Sequence, residues 1–425
     1  MDQPLTFIIL GCGGRGNGFS ESIAASPHFG RVVAVAEPDA ERRDRVGERH
    51  GIPAEMRFAT WEQALAGRKL ADVCINTTMD RLHVASAVKA LDLGYHMLLE
   101  KPMATTLADC VAIDAARARN QRVVAVCHSM RYDRTHAEMI RRLRAGEIGD
   151  IVSLDQLEGV NHLHQSHSFV RGNWGNEARS TFMLMAKSCH DIDAIAYAID
   201  KPCERVSSFG NLALFRPERA PAGATARCTD GCPAERTCAY SALKIYTGEG
   251  AKAHWYAHPA GTAGLPTARQ IEILRTSPYG RCVYRTDNDV VDHQVVAMEF
   301  AGGITATFTM TAFTPFCGRL IRVHGTAGYL EASLNARTVE WTTFADNQRH
   351  RVQLAEQSGG HGGADENILA EFVAAVWRGD PNGVLTTTAE SLRTHTIVFA
   401  AERSRRERRQ VELSEMTSAQ AATAS

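Results

Sequence analysis

Short apolar runs alternate with amphipathic stretches through the first third of the chain. Phe7–Leu10, Val32–Ala36, Val73–Asn76, His96–Leu99 and Val123–Cys127 are strand-length and almost continuously apolar. Between them, Phe19–Ala25, Ala40–His50, Trp61–Ala66, His83–Leu93 and Leu107–Arg119 carry helical periodicity. Strands that do not alternate, separated by helices, predict a parallel sheet covered on both faces. That places a doubly wound nucleotide-binding domain over residues 1–128.

The pattern changes after Arg131. A helix is expected over His136–Ala145 and a strand over Ile151–Glu158. Val290–Phe300 and Ile304–Thr311 alternate around Ala301-Gly302-Gly303, which reads as a hairpin. Arg319–His324, Gly328–Leu334 and Thr338–Thr343 continue the alternation. A large, mostly antiparallel open sheet follows, in an α/β domain over 129–412 that binds substrate and mediates oligomerisation. One long helix, Phe182–Ile199, should cover a sheet face, and Glu366–Arg378 and Ala389–Arg408 should close the fold. Residues 215–285 are expected to form a loop-rich insertion, and 413–425 a small, polar, disordered tail. The fold class is thus α/β plus α+β.

The first strand runs into Gly11-Cys12-Gly13-Gly14-Arg15-Gly16, a G-x-G-x-x-G turn opening a helix. The glycines suit a tight turn, close approach of a pyrophosphate and close helix–strand packing. This is a Rossmann arrangement. Glu37, at the end of the second strand, can accept from ribose hydroxyls and would repel a 2′-phosphate, so NAD is expected over NADP. Arg42 and Arg43 stand nearby and keep NADP open.

Composition narrows the partners. Lys+Arg 47 against Asp+Glu 48 leaves a formal net charge of -1, with no basic field for nucleic acid or anionic membrane. No apolar stretch approaches the roughly 20 residues of a membrane span, and the N-terminus lacks a signal-peptide pattern. A cytoplasmic protein is expected. Among eleven cysteines, Cys12, Cys74, Cys110 and Cys127 read as core. Cys228, Cys232 and Cys238 cluster in the insertion, with Cys282 as a fourth ligand for a structural zinc or an iron–sulfur cluster; unliganded thiols are the alternative.

Gly94-Tyr95-His96-Met97-Leu98-Leu99-Glu100-Lys101-Pro102 delivers Glu-Lys-Pro at the carboxyl end of a strand, where open α/β sheets bind ligands. With the glycine turn, Glu37, the Thr78-to-His83 segment, Arg131-Tyr132, Gly149-Asp150-Ile151-Val152-Ser153 and His190-Asp191-Ile192-Asp193, the chain resembles the glucose-fructose oxidoreductase / inositol dehydrogenase (Gfo/Idh/MocA) family. The resemblance spans nearly the whole chain. It implies an oxidoreductase that moves a hydride between a sugar, cyclitol or glycoside and a nicotinamide. It also implies cofactor contacts at Gly11, Cys12, Gly13, Gly14, Arg15, Gly16, Glu37, Thr77, Thr78, His83, Glu100 and Lys101. Lys101 and His190 would flank the reacting carbon.

Inositol dehydrogenases carry an aspartate one helical turn before that histidine, where this chain has Ala186. Lys187, three residues before His190 and on one helix face with it, is therefore a candidate for the missing catalytic role. Asp193 either orients His190 or bonds to backbone. His162-Leu163-His164-Gln165-Ser166-His167-Ser168-Phe169-Val170-Arg171-Gly172-Asn173-Trp174 reads as a substrate wall, with His164, His167, Arg171 and Trp174 facing a polyhydroxylated ligand. Arg131, His293 and His361 are further candidates. Two other functions stay open: a glycosidase that oxidises its substrate transiently with bound NAD, and a non-catalytic NAD sensor. A bare sheet face favours a homo-oligomer, dimer or tetramer.

Overall fold

The computed structural model describes residues 4–356 and 359–416. The first sheet contains β1 (Leu5–Leu10), β2 (Gly30–Ala36), β3 (Arg57–Phe58), β4 (Val73–Asn76), β5 (His96–Leu99) and β6 (Val124–Val126), in the order β3-β2-β1-β4-β5-β6. Every pairing is parallel. Because both faces of β1 are covered, its residues divide between two cores: Phe7 and Ile9 join one, Ile8 and Leu10 the other. The helices between strands start where side chains cap them. Asp39, Thr106 and Asp133 each accept from amides of the following turn.

One core is completed from far along the chain. Ile368, Leu369, Phe372 and Val373 of helix Ala364–Arg378 pack with Phe7, Ile9 and Leu98. The C-terminal region therefore returns onto the nucleotide-binding sheet.

The second sheet has β7 (Ile151–Gly159), β8 (Cys203–Asn211), β9 (His293–Phe300), β10 (Ile304–Thr311), β11 (Gly318–Gly325), β12 (Gly328–Ser333), β13 (Thr338–Thr343), β14 (Arg349–Gln353) and β15 (Val411–Glu412). Their order is β14-β13-β12-β11-β7-β10-β9-β8-β15, antiparallel except for β7 beside β10. Helices Cys189–Ile199 and Thr388–Glu407 cover one face, and their apolar residues share a core with Val206, Val296, Phe308 and Val323. On strand positions facing away, Phe209 and Val295 are opposite one another and exposed. No helix of the described residues is long and apolar enough to cross a membrane.

Three expectations are corrected. The helix expected over Phe182–Ile199 breaks into Met183–Ala186 and Cys189–Ile199. Residues 413–416 are helical rather than a disordered tail, because Leu413 and Met416 pack into the second core. Residues 417–425 lie outside the described residues. The insertion is loop-rich, but it also holds short helices at Ala242–Tyr246, Gly248–Ala253 and Thr267–Thr276.

Candidate active site

The glycine turn is locked by β4. Gly11 has φ +88, and a Cβ there would stand 2.5 Å from the Thr77 carbonyl oxygen. A Cβ on Gly16 would stand 1.9 Å from the Gly11 oxygen and 2.7 Å from Thr77 Oγ1. Only glycine fits at either place. Thr77 Oγ1 in turn donates to the Gly11 carbonyl at 2.7 Å. Gly13 and Gly14 differ: nothing lies within 4 Å of where their Cβ atoms would be. The helix that follows, Gly14–Ala25, has no side-chain cap and no acid in its first turn. An open cradle at the positive end of a helix fits a dinucleotide pyrophosphate.

Glu37 completes that fit. Its oxygens accept from the Cys12 amide at 2.6 Å and the Asp39 amide at 3.0 Å, and the residue is 7% exposed. Each oxygen keeps a lone pair for a ribose hydroxyl. Arg43, the competing signal for a 2′-phosphate, donates instead to the Glu37 carbonyl at 2.6 Å.

Other expected cofactor contacts serve the scaffold. The imidazole of His83 is fully buried between the carbonyls of Pro102 (2.8 Å) and Thr78 (3.0 Å). It ties the β4 loop to the turn that contains the cis Lys101–Pro102 peptide. Thr78 Oγ1 donates to Asn76 at 2.8 Å. Arg15 pairs with Glu100 and Asp365, and Glu100 also accepts from the Lys101 amide at 2.9 Å.

Lys101 leaves the end of β5 and donates from Nζ to the Ala186 carbonyl at 2.6 Å. The helix break makes this contact. In a continuous helix that carbonyl would accept an amide one turn later; the interruption at Lys187-Ser188 leaves it for the lysine. The same break overturns the shared helix face expected for Lys187 and His190. Lys187 pairs with the buried Glu158 at 3.0 Å. Arg319 stands 3.0 Å from Glu158 and 2.7 Å from Asp191, and Gln156 donates to Asp191 at 2.6 Å. Burial pushes the Glu158 carboxyl up, against the pull of Arg319 and Lys187.

His190 is the second residue of helix Cys189–Ile199 and is 7% exposed. Its ring meets His128 edge-on with centroids 5.8 Å apart, and His128 meets His395 at 5.4 Å. Behind them Arg131 grips Asp193 through two bonds of 2.8 Å, and Thr394 adds a third at 3.0 Å. Burial opposes ionisation of Asp193, but Arg131 and His128 outweigh it and hold the carboxyl well below the usual range. Arg131, expected against substrate, is thus a buried partner of Asp193 and of the Leu385 carbonyl.

The 162–174 wall divides. His164 packs against Phe169, Trp255 and Tyr256 on the side of Lys187, Lys101 and Arg319: its basicity is pushed down by burial first, then by those three charges. His167 and Arg171 point the other way. The segment is helical, with a wide π-type turn over His167–Arg171, which directs both side chains into the insertion. His167 stacks on Tyr279 at 4.8 Å and its Nδ1 meets the Tyr246 hydroxyl at 2.9 Å. Burial pushes it down to about 3. Arg171 donates to the Arg281 and Tyr240 carbonyls at 2.8 and 2.7 Å. Trp174 Nε1 donates to Asp80 at 3.1 Å, which also accepts from Ser180. His293 is half-exposed and paired with Asp292 at 2.9 Å. The side chain of His361 lies outside the described residues. The four cysteines gather around one cavity. Yet no group of three or more His, Cys, Asp or Glu among the described residues converges as a metal-ion ligand set, so the zinc expectation finds no preformed site.

Two family models match the chain: the oxidoreductase family NAD-binding Rossmann fold over residues 5–128, and the family's C-terminal alpha/beta domain over 140–413. The chain belongs to the Gfo/Idh/MocA oxidoreductase family. It is 24% identical over 322 residues to YteT of Bacillus subtilis, an oxidoreductase by description, covering 71% of this chain and 72% of that one. It is 32% identical over 145 residues to an inositol 2-dehydrogenase of Saccharopolyspora erythraea, a match covering 34% of this chain and 42% of that enzyme. The match to that enzyme thus spans less than half its length. Levoglucosan dehydrogenase in complex with NADH shares the fold, with a TM-score of 0.72 at 17% identity over 97% of this chain and 99% of that chain.

Within this Gfo/Idh/MocA oxidoreductase, several site residues escaped the motif reading. Glu158 and Gln156 did leave a signal: they occupy the inward positions of β7 with Leu154, where an apolar residue belongs. Arg319 has the same standing on β11. His128, His395 and Asp80 carry no such signal, because their contacts span large distances along the chain.

Proposed function

We propose that this protein is an NAD-dependent dehydrogenase that oxidises a ring hydroxyl carbon of a sugar, cyclitol or glycoside. One observation carries the reading most directly: Lys101 Nζ is fixed on the Ala186 carbonyl at 2.6 Å, beside the first turn of the helix bearing His190. Levoglucosan dehydrogenase and the inositol dehydrogenases lend support as relatives that act on such compounds. Bound nicotinamide would supply the hydride acceptor. The Lys101 ammonium orients the substrate oxygen, and His190 takes the hydroxyl proton as the carbon is oxidised. Glu37 favours NAD over NADP, its carboxylate standing where a 2′-phosphate would need a cation. Lys187 acts through Glu158 rather than on substrate, and His164 lines the substrate side of the cleft. Phe209 and Val295 on the uncovered sheet face are the seat for a second copy of the chain.

The test is incubation of the purified protein with NAD or NADP and a panel of aldoses, cyclitols and glycosides. Net NADH formation with at least one ring substrate, and a stronger response to NAD than to NADP, is the expected result. Release of aglycone without NADH would reassign the site to hydrolysis. Silence across the panel, with NAD still bound, would favour a sensor.

A further inference from the structure

A cavity of about 340 Å³ opens between the start of helix Arg134–Arg144, the turn joining β12 to β13, and residues 354–362. Neither Lys101 nor His190 lines it, so the reacting ring of a substrate does not sit there. Its volume is at the low end of the range for small-molecule pockets, which suits one ring rather than a dinucleotide. Two of its walls reach the candidate site. Cys317 stands two residues before Arg319, at most about 7 Å of chain, and Arg319 holds Asp191, the neighbour of His190, at 2.7 Å. The Cys317 thiol also lies 3.8 Å from His164 Nδ1. On the other side, Gly362 stands three residues before Asp365, the partner of Arg15 in the glycine turn. One molecule can therefore touch both the cavity and the Lys101–His190 pair.

The polar groups in the cavity are those that internal bonding leaves over. Thr135 is 2% exposed and lines the cavity, yet its hydroxyl has no hydrogen-bond partner among the described residues. A buried hydroxyl in that state costs stability, and a ligand hydroxyl can supply the bond. The Arg134 side chain makes no ion pair or hydrogen bond among those residues. Asn335 donates from Nδ2 to the Cys317 carbonyl at 2.7 Å, which leaves Oδ1 as an acceptor. An anion is a poor fit. Arg134 and Arg337 are balanced by Asp133 and Glu356, and Arg337 is held by Glu356 at 3.6 Å. The helix end is closed as well, since Asp133 accepts the amides of Thr135 and His136 at 2.9 and 3.0 Å. Leu334 and Leu354 give the cavity an apolar side. Donors, an acceptor and an apolar wall without net charge match a neutral sugar ring, with its hydroxyl rim and C–H face.

We propose that this cavity binds the second, unreacted ring of a neutral disaccharide, so that the substrate is a glycoside rather than a free sugar or cyclitol. Arg134 and Thr135 donate to hydroxyls of that ring, Asn335 accepts from one, and Leu334 and Leu354 carry its C–H face. The other ring lies between Lys101 and His190. The inference rests on the reading of those two residues as the reacting centre, and adds the class of ring compound they receive. Contacts to a ring that does not react are made equally before and at the transition state. They therefore lower KM and leave kcat alone.

The test uses the full chain. Cellobiose, maltose and lactose are compared with glucose and galactose, by steady-state NADH formation and by calorimetric titration in the presence of NADH. At least one disaccharide should show a KM and a dissociation constant about tenfold below those of its free hexoses. Arg134→Ala, which breaks no hydrogen bond or ion pair among the described residues, should raise both about tenfold with kcat unchanged. Arg141→Ala, on the same helix but outside the cavity, should change neither. Equal affinity for disaccharide and hexose, or a disaccharide advantage that survives Arg134→Ala, would overturn the cavity assignment and leave the dehydrogenase reading in place. Tighter disaccharide binding that Arg134→Ala weakens, without any NADH formation, would keep the cavity and overturn the dehydrogenase reading instead. Absence of binding by all five sugars would overturn the cavity assignment too.

Discussion

The Gly11–Gly16 turn follows β1 of the first sheet and the His162–Trp174 segment follows β7 of the second, and they treat their polar groups differently. The turn leaves an open cradle at Gly13 and Gly14 in front of an uncapped helix. The segment consumes its polar side chains inside the fold: Arg171 on two carbonyls, His167 on a tyrosine, Trp174 on Asp80. Residue type therefore says little about a ligand surface until the internal partners are counted. Where backbone does the binding, glycine spacing announces it. Where side chains do, tertiary contacts decide which remain available.

The largest expected effect lies at Lys101, which reaches from the first sheet to the Ala186 carbonyl. Lys101→Met should lower turnover by about 10²- to 10⁴-fold while NAD binding persists, measured by steady-state rates and nucleotide titration. Unchanged turnover would remove Lys101 from the chemistry.

Arg171→Met comes next and separates the wall from the turn. Two charge-assisted hydrogen bonds vanish and two carbonyls lose a donor, so stability should fall by about 3 kcal/mol, read from denaturant midpoints. A raised KM with an unchanged midpoint would return Arg171 to the ligand surface.

Acid should unfold the wall and the histidine cluster before it affects the turn. Burial holds His167 and His395 down to about 3 and His136 to about 4, against an unfolded value of about 6.5. Their folded values lie below the unfolded one. The stability they contribute is therefore complete above about pH 6.5 and is lost as pH falls toward 4. His395 shows the mechanism, since its Nε2 accepts the Met103 amide at 3.0 Å and cannot do so when protonated. Melting temperature should decline steadily from pH 7 to pH 4.5; a flat profile would contradict the buried neutral state.

The smallest effect on stability should come from Gly13→Ala. A methyl there meets nothing, so stability should stay within about 0.5 kcal/mol, whereas NAD affinity should drop about tenfold as the methyl enters the cradle. Calorimetric titration and a melting curve test both halves. Loss of stability without loss of affinity would mean the cradle is not where phosphate sits.

Legibility followed the range of the interactions. Each apolar run of the first sheet became a strand, because the near-continuous apolar pattern of a two-faced parallel sheet is local. The glycine turn and Glu37 were legible for a related reason, since their geometry is set within one βαβ unit. Strands β3, β8, β14 and β15 were missed: β8 carries mixed residues, and β3 and β15 are two residues long. The fate of Arg131 was hidden because its partner Asp193 lies 62 residues away. Lys187 was misread because the 3.6-residue period assumes an unbroken helix, and nothing in Lys187-Ser188 advertises the break.

That break links the two halves of the molecule. The lysine belongs to the nucleotide-binding half, yet the carbonyl that holds its amine belongs to the other half, 85 residues along. Any widening of the cleft that draws Ala186 from β5 must first release the ammonium. The hydrogen bond thus acts as a latch, and the open and closed forms should differ in whether the lysine is aimed. An enzyme so arranged would lose the group that orients its substrate whenever it opened, and regain it only on shutting.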